Sequence, residues 1–137
     1  MPYVDGYLLP IPKRNLKAYR RIALIASKVW REHGALQYCE AAGDDLDVSW
    51  GLPYTKLLKL KRGESAVFAF ITYKSRAHRD RVNAAVMADP RLKALCNPDK
   101  MPFDMTRMSM GGFKTIVCCA PAAPGTCRAA IGRKRPS

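Results

Sequence analysis

The chain has 137 residues, 48% of them hydrophobic and 26% charged, and a formal net charge of +13 at pH 7. This length fits a single domain, and the apolar content excludes a largely disordered chain. Its uncharged apolar runs are much shorter than the roughly 20 residues that a membrane span needs.

The cysteines and the N-terminus predict a cytoplasmic protein. The five cysteines include no CxxC pair, which favours reduced thiols over a disulfide framework or a zinc site. Acid and proline residues near the N-terminus interrupt the pattern expected of a signal peptide. The segment 119–137 has four basic residues and no acidic one, so it contributes +4 to the net charge of +13, and the body of the chain carries the remaining +9.

A strand and a helix are predicted first. The segment 3–9 reads as a strand that is closed by the prolines after it. The segment 13–33 has apolar residues at three- and four-residue spacings, which predicts an amphipathic helix. Its apolar stripe consists of Leu16, Tyr19, Ala23, Ala26, Trp30 and His33. Gly34 follows the last turn, where a glycine with positive φ often ends a helix.

Two strands are predicted next, with an irregular stretch between them. Residues 35–41 form the second strand, with Leu36, Tyr38 and Glu40 on one face. Within the irregular stretch, residues 54–61 fit either a short helix or an edge strand. Residues 65–73 are apolar at nearly every position, which predicts a third strand that is buried on both faces.

A second helix and a last strand complete the predicted domain. Ser75 suits the N-cap of a helix over 76–88, and Pro90 is expected to end that helix. The last strand is predicted over 107–119, and its Gly111-Gly112 pair indicates a bulge or close packing. We therefore predict one domain over 1–118, followed by a flexible basic tail over 119–137.

The predicted order is βαββαβ, the ferredoxin-like arrangement, an α+β fold. This topology places both helices on one face of a four-stranded antiparallel sheet and leaves the other face bare. Because the third strand is apolar on both sides, we expect something to cover the bare face.

Four blocks of the sequence resemble a known family. They are "YVDGYLLPIPKRNLKAYRR", "VWREHGALQY", "YKSRAHRDRVNAAVMADPR" and "MPFDMTRMSMGGFK". They resemble, in the same order, the signature blocks of domain-of-unknown-function family 1428, the YbaA-like proteins, over about residues 2–118. The resemblance implies a homodimer in which two ferredoxin-like sheets pair their bare faces into a dimeric α+β barrel. It implies no established activity.

The third strand also fits part of the RNA-recognition consensus, through the run from Phe68 to Tyr73. The two opening positions of that consensus fail, since Ala66 and Val67 replace the basic residue and the glycine. The clustered arginines fall on the helices, whereas an RNA-recognition motif binds RNA on its sheet. Phe68 and Phe70 are therefore interpreted as dimer-interface candidates.

Asp5 is the first candidate for a functional site, because a carboxylate between Tyr3 and Tyr7 on a strand needs a partner. Its possible partners are Arg31, His33, Arg76, His78 and Arg79. A pocket with Asp5, His33, His78 and Arg79 would bind a small polar ligand or perform acid–base chemistry. The alternative is a structural salt bridge between helix and sheet.

Neither a metal nor a cofactor is expected. Asp44, Asp45 and Asp47 lack the glycine and the terminal glutamate of an EF-hand loop, which favours a solvated acidic turn. The four methionines between 101 and 110 could suggest a soft-metal site, but gap-filling core contacts are the simpler interpretation. The two histidines lack the companion residues that a haem site of this fold class would need.

The sequence thus predicts a cytoplasmic homodimer with a small-molecule-binding or weakly catalytic pocket between sheet and helices. Whether the protein is an enzyme is left open. The alternative is a nucleic-acid-associated protein that uses its basic helices and tail, and whose binding would fall steeply with salt. No membrane partner is expected.

Overall fold

The structure is a computed structural model that describes residues 1–121 and 127–129. Its strands are β1 (Tyr3–Pro12), β2 (Gln37–Ala42), β3 (Glu64–Tyr73), β4 (Ser109–Lys114), β5 (Cys119–Pro121) and β6 (Cys127–Ala129). Its α-helices are α1 (Leu16–Glu32), α2 (Tyr54–Leu57), α3 (Arg76–Met87) and α4 (Pro90–Leu95). Within the described part of the chain, no helix has both the length and the apolar character to cross a membrane.

The first four strands form one antiparallel sheet in the order β2-β3-β1-β4. This order confirms the predicted ferredoxin-like topology. The central pair is in unbroken register, from Tyr3 opposite Tyr73 to Pro12 opposite Glu64. Since side chains alternate along a strand, this register sends the odd-numbered residues of both central strands to the same face.

The helices cover the odd-numbered face and form the core with it. Val29 of α1 and Val86 of α3 are fully buried there, beside Ile71 and Tyr73 of β3. A second buried cluster, around Leu9 and its neighbours at the far end of β1, packs against the start of α1. The predicted apolar stripe of the first helix faces the core at Ala26 and Trp30, but it omitted the fully buried Val29, and its last member, His33, lies just beyond the helix.

The described residues cover the opposite face of the sheet only in part: Ala66 is 3% exposed and lies near Leu46 and Tyr54. The register places on it the uncharged residues Val4, Leu8, Cys39, Ala41, Ala66, Phe68, Phe70 and Phe113, with Glu64 at the start of β3. Phe68 is 48% exposed and Phe113 is 62% exposed. The described chain therefore does not bury β3 on both faces, and the prediction would hold only if a second molecule covered this surface. We call this surface the open sheet face.

Local signals in the sequence explain most helix ends. The Ser75 hydroxyl accepts the amide N–H of His78 at 3.1 Å and caps α3, as predicted. Gly34 has a φ of +116°, as predicted for the end of α1. For residues 54–61 the sequence left open a short helix or an edge strand, and the structure shows a short helix, Tyr54–Leu57.

Pro90 starts a helix, although the sequence predicted only that it ends one. The Asp89 side chain accepts the amide N–H of Arg91 at 2.9 Å, and Pro90 occupies the first turn of α4. Proline suits that position because its φ is already helical and its missing N–H would have no helical partner there. The short helix α4 was therefore missed.

The last strand of the sheet ends earlier than predicted, at Lys114 rather than near residue 119. Its pairing with β1 is unbroken, and Gly112 serves close packing, because a Cβ there would overlap the Tyr3 ring. Gly111 has open space beside it. β5 and β6 pair as a separate antiparallel hairpin. Most of the predicted flexible tail, 122–126 and 130–137, lies outside the described residues. Cys119 is disulfide-bonded, unlike the reduced thiols that were expected.

Candidate functional site

A cavity of about 230 Å³ lies between the sheet and the helices. The four strands of the main sheet, α1, the end of α3, α4 and the segment 96–108 supply its walls. Most of its lining side chains are aliphatic, aromatic or methionine. Ligand sites are typically concave, mainly apolar and supplied with a few polar groups, so this cavity is the leading candidate for a binding site.

Glu40 is the carboxylate in the cavity wall, and two tyrosines hold it. The Tyr38 hydroxyl donates to Oε2 of Glu40 at 2.7 Å. The Tyr19 hydroxyl donates to Oε1 of the same side chain through a short hydrogen bond. Each carboxylate oxygen thus accepts one phenolic O–H, which fixes the position of the Glu40 side chain. The local structure follows from alternation on β2, which turns Tyr38 and Glu40 to the same side, toward Tyr19 on α1.

The tyrosines of the cavity remain protonated donors over a wide pH range. Burial, assisted by the negative charge of Asp5, raises the pKa of Tyr7 to about 12. Burial also raises the pKa of Tyr19 and of Tyr38, and Glu40 adds to both effects. The cause is physical: a phenolate would lose water and would face an existing negative charge.

Methionines form an unusual share of the cavity wall. The chain has six methionines, and five of them line the cavity: Met87, Met101, Met105, Met108 and Met110. The flexible thioether side chain adapts to different shapes, and for that reason methionine is common on surfaces that bind varied partners. The sequence suggested that these methionines fill gaps in the core, and their placement is compatible with that interpretation. The space that they border is, however, an unfilled cavity.

Asp5 and Arg79 form a buried ion pair next to the cavity. The guanidinium of Arg79 lies 2.5 Å from Oδ1 of Asp5, and its carbon lies 4.9 Å from the centre of the Tyr3 ring. The Asn83 amide donates to Asp5 at 3.5 Å and accepts the indole N–H of Trp30 at 3.1 Å. Since Trp30 lines the cavity, this network connects the ion pair to the cavity wall.

The two histidines lie in other surroundings. Nε2 of His33 lies 2.8 Å from Oδ2 of Asp89, a contact that connects α1 to the start of α4. Hydrogen bonds from Arg91 and His33 hold the pKa of Asp89 below its usual range. Nδ1 of His78 accepts the amide N–H of Lys74 at 3.0 Å. Burial lowers the pKa of His78, and the positive charge of Lys74 lowers it further.

The structure therefore brings together two of the four predicted ligand-binding residues, Asp5 and Arg79, and places both histidines apart from them. None of the four lies in the cavity wall. The sequence did not single out Glu40, Tyr19 or the methionine wall as a site. The sequence did contain a pattern that could have identified this site: Tyr38 and Glu40 share a strand face, and Tyr19 lies on the core stripe of the helix.

The basic residues of α1 lie on its outer side. Lys17, Arg20, Arg21, Lys28 and Arg31 are all exposed. None of them lines the cavity, and Arg31 donates to the carbonyl oxygens of Ala35 and Leu36. Beyond overall charge, no contact in the described structure favours the nucleic-acid alternative.

Comparisons with known proteins agree with the resemblance seen in the sequence. The family described as "Protein of unknown function (DUF1428)" matches residues 2–105. The uncharacterized protein YbaA of Escherichia coli strain K12 is 36% identical over 117 residues, which cover 85% of this chain and 98% of that protein. YbaA of Shigella flexneri shows the same identity and coverage.

A solved structure supports the fold alone. It is an uncharacterized NIPSNAP domain protein from Burkholderia xenovorans, with a TM-score of 0.56 and 13% sequence identity. The likeness covers 87% of this chain and 99% of that one. With a family match over most of its length and a 36% identical relative, the chain belongs to the DUF1428 family and is a YbaA-like protein.

Proposed function

We propose that this protein binds a small molecule in the cavity between the sheet and the helices. The observation that carries the proposal is the Glu40 carboxylate, held by Tyr19 and Tyr38 in an otherwise largely apolar wall. Such a wall supplies affinity through apolar contact, and one fixed polar group supplies orientation. A tyrosine–carboxylate set required only to join α1 to β2 would not need an open cavity around it.

The predicted residues take supporting roles in this proposal. Asp5 and Arg79 fix β1 against α3 and thereby hold Trp30, through Asn83, in the cavity wall. His33 fixes the start of α4 through Asp89, and α4 contributes to the wall. His78 belongs to the capped start of α3. We assign these four residues to the frame of the site rather than to contact with the ligand.

We further propose that the protein is a cytoplasmic homodimer whose protomers pair through the open sheet face. Support comes from Phe68 and Phe113, which are large, apolar and about half or more exposed on a face with uncharged neighbours. A contiguous apolar patch of this kind favours burial against a partner. Pairing of two such faces gives the dimeric α+β barrel. The free thiols of Cys39, Cys96 and Cys118 support the cytoplasmic assignment, whereas the disulfide at Cys119 counts against it.

A fragment screen with two matched variants tests the binding site. Ala23 lines the cavity from α1, so Ala23→Leu puts three additional carbon atoms into it. Ala84→Leu makes the same change at an exposed position of α3, outside the cavity. Ligand-observed NMR with single-ring fragments should detect binding to the wild type and to Ala84→Leu. Binding to Ala23→Leu should weaken roughly tenfold or more, because the added volume occupies the ligand's space.

Two results would overturn the proposal. One is the absence of binding to the wild type by any fragment small enough for the cavity. The other is equal binding by Ala23→Leu and the wild type, which would place the fragments elsewhere on the surface.

A further inference from the structure

The charges on the cavity wall define the class of ligand more closely. Among the described residues that line the cavity, Glu40 is the only carboxylate, and lysine, arginine and histidine are absent. A protein of net charge +13 thus has a wall that carries a single negative group. Exposed charges more than about 10 Å away are largely screened at moderate salt, whereas a contact inside a largely apolar cavity is screened much less. The local carboxylate therefore decides which charge the cavity accepts.

The aromatic residues of the wall favour the same charge. Tyr7, Tyr19, Trp30, Tyr38 and Phe103 all line the cavity. The rings of Trp30 and Tyr38 are 5.9 Å apart, and those of Tyr19 and Phe103 are 5.6 Å apart. The face of an aromatic ring carries negative potential and attracts ammonium groups. Aromatic rings beside a carboxylate form a suitable environment for an organic cation.

Glu40 retains capacity for a further hydrogen bond. A carboxylate offers about four lone-pair sites, and the hydroxyls of Tyr19 and Tyr38 use one on each oxygen. The tyrosines hold the carboxylate in place, so less side-chain conformational entropy is lost when a ligand binds it. An N–H donor on the ligand would complete the group.

The volume limits the size of the ligand. An apolar cavity of about 150 Å³ accommodates benzene, and this cavity measures about 230 Å³. It therefore has room for one ring with a short side chain. Building on the proposed function, we propose that the ligand is a protonated amine carrying one ring or an apolar group of similar size. The ammonium lies at Glu40, and the apolar part lies against the methionines.

Benzylamine and benzyl alcohol test this proposal, because they share one shape and differ in charge. Isothermal titration of the wild-type protein near pH 7 should give a dissociation constant about tenfold or more lower for benzylamine, as expected for a charge-assisted hydrogen bond. Glu40→Gln keeps the size of the side chain and removes its charge. This variant should lose the preference for the amine, so that its dissociation constants for the two compounds differ by less than about threefold.

Glu32→Gln is the matched control, since Glu32 lies at the exposed end of α1 and outside the cavity. It should keep the wild-type preference. Equal binding of both compounds to the wild type would overturn the cationic ligand and leave the cavity as a binding site. The comparison on the wild type does not depend on how well Glu40→Gln folds. Binding of neither compound would instead contradict the proposed function itself.

Discussion

Asp5 and Arg79 meet at 2.5 Å between the sheet and α3, with side chains that are only 6% and 18% exposed. The two residues are 74 positions apart in the chain, so the contact forms only when β1 and α3 are packed together. A buried charge that keeps its partner is tolerated, but one that loses its partner is costly. This asymmetry makes the pair a sensitive probe of the fold.

Arg79→Ala should destabilise the protein by about 3–5 kcal/mol, because it leaves the Asp5 carboxylate buried without its cation. Urea unfolding followed by circular dichroism measures this loss. Arg81→Ala is the control: Arg81 is exposed on the same helix, and its removal should change stability by less than about 0.5 kcal/mol. The double variant Asp5→Ala/Arg79→Ala should recover part of the loss. Similar effects of the two single arginine variants would contradict the role of the pair.

Stability should fall in alkali because the folded protein resists loss of tyrosine protons. The pKa of Tyr7 is raised from 10.0 to about 12, mainly by burial, and burial also raises the pKa of Tyr19, Tyr38 and Tyr73. Between about pH 10 and 12 the unfolded chain therefore binds fewer protons than the folded one, and stability decreases as pH rises. Below pH 10 this contribution is fully present. Urea midpoints between pH 8 and 11 should be constant at first and then decline.

Tyr38→Phe isolates one member of this set. It should make the alkaline decline shallower by about 1 kcal/mol per pH unit, since one titrating group has been removed. Tyr54→Phe, at a tyrosine that is 45% exposed, should leave the slope unchanged. If both variants had the slope of the wild type, the buried tyrosines would not be its cause.

The open sheet face should control the oligomeric state. Phe68→Lys introduces a charge where the proposed dimer buries an aromatic ring, and desolvating an unpaired charge is costly. Light scattering on a sizing column at high salt should give a dimer mass for the wild type and a monomer mass for this variant. Leu24→Lys is a close control, because Leu24 is 47% exposed on α1 and Phe68 is 48% exposed on the sheet. A monomeric wild type would exclude the barrel.

Local patterns predicted the topology better than they predicted the site. Periodicity and turn signals were enough for the strand order, the Ser75 cap and the end of α1. They placed the end of α3 before Pro90 correctly but missed α4, because Pro90 also begins the next helix, with Asp89 as its N-cap.

The site depends on contacts that sequence spacing does not determine. Asp5 had several possible partners, and the packing of α3 on β1 selected Arg79. The contact between Tyr19 and Glu40 depends on how far α1 reaches along β2. The cavity itself is a gap among residues from most elements of the fold. A gap has no signature in the sequence, since methionines and tyrosines fill a core as readily as they line a pocket.

The most direct test of the central claim uses the methionines as reporters. Protein labelled with ¹³C at the methionine methyl groups gives six signals, of which five belong to the cavity and one to Met1, which is 59% exposed at the N-terminus. Titration with benzyl alcohol and then benzylamine should shift the cavity signals in a saturable way and leave the Met1 signal unchanged. Unchanged cavity signals at saturating fragment concentration would contradict the claim that this cavity is a binding site.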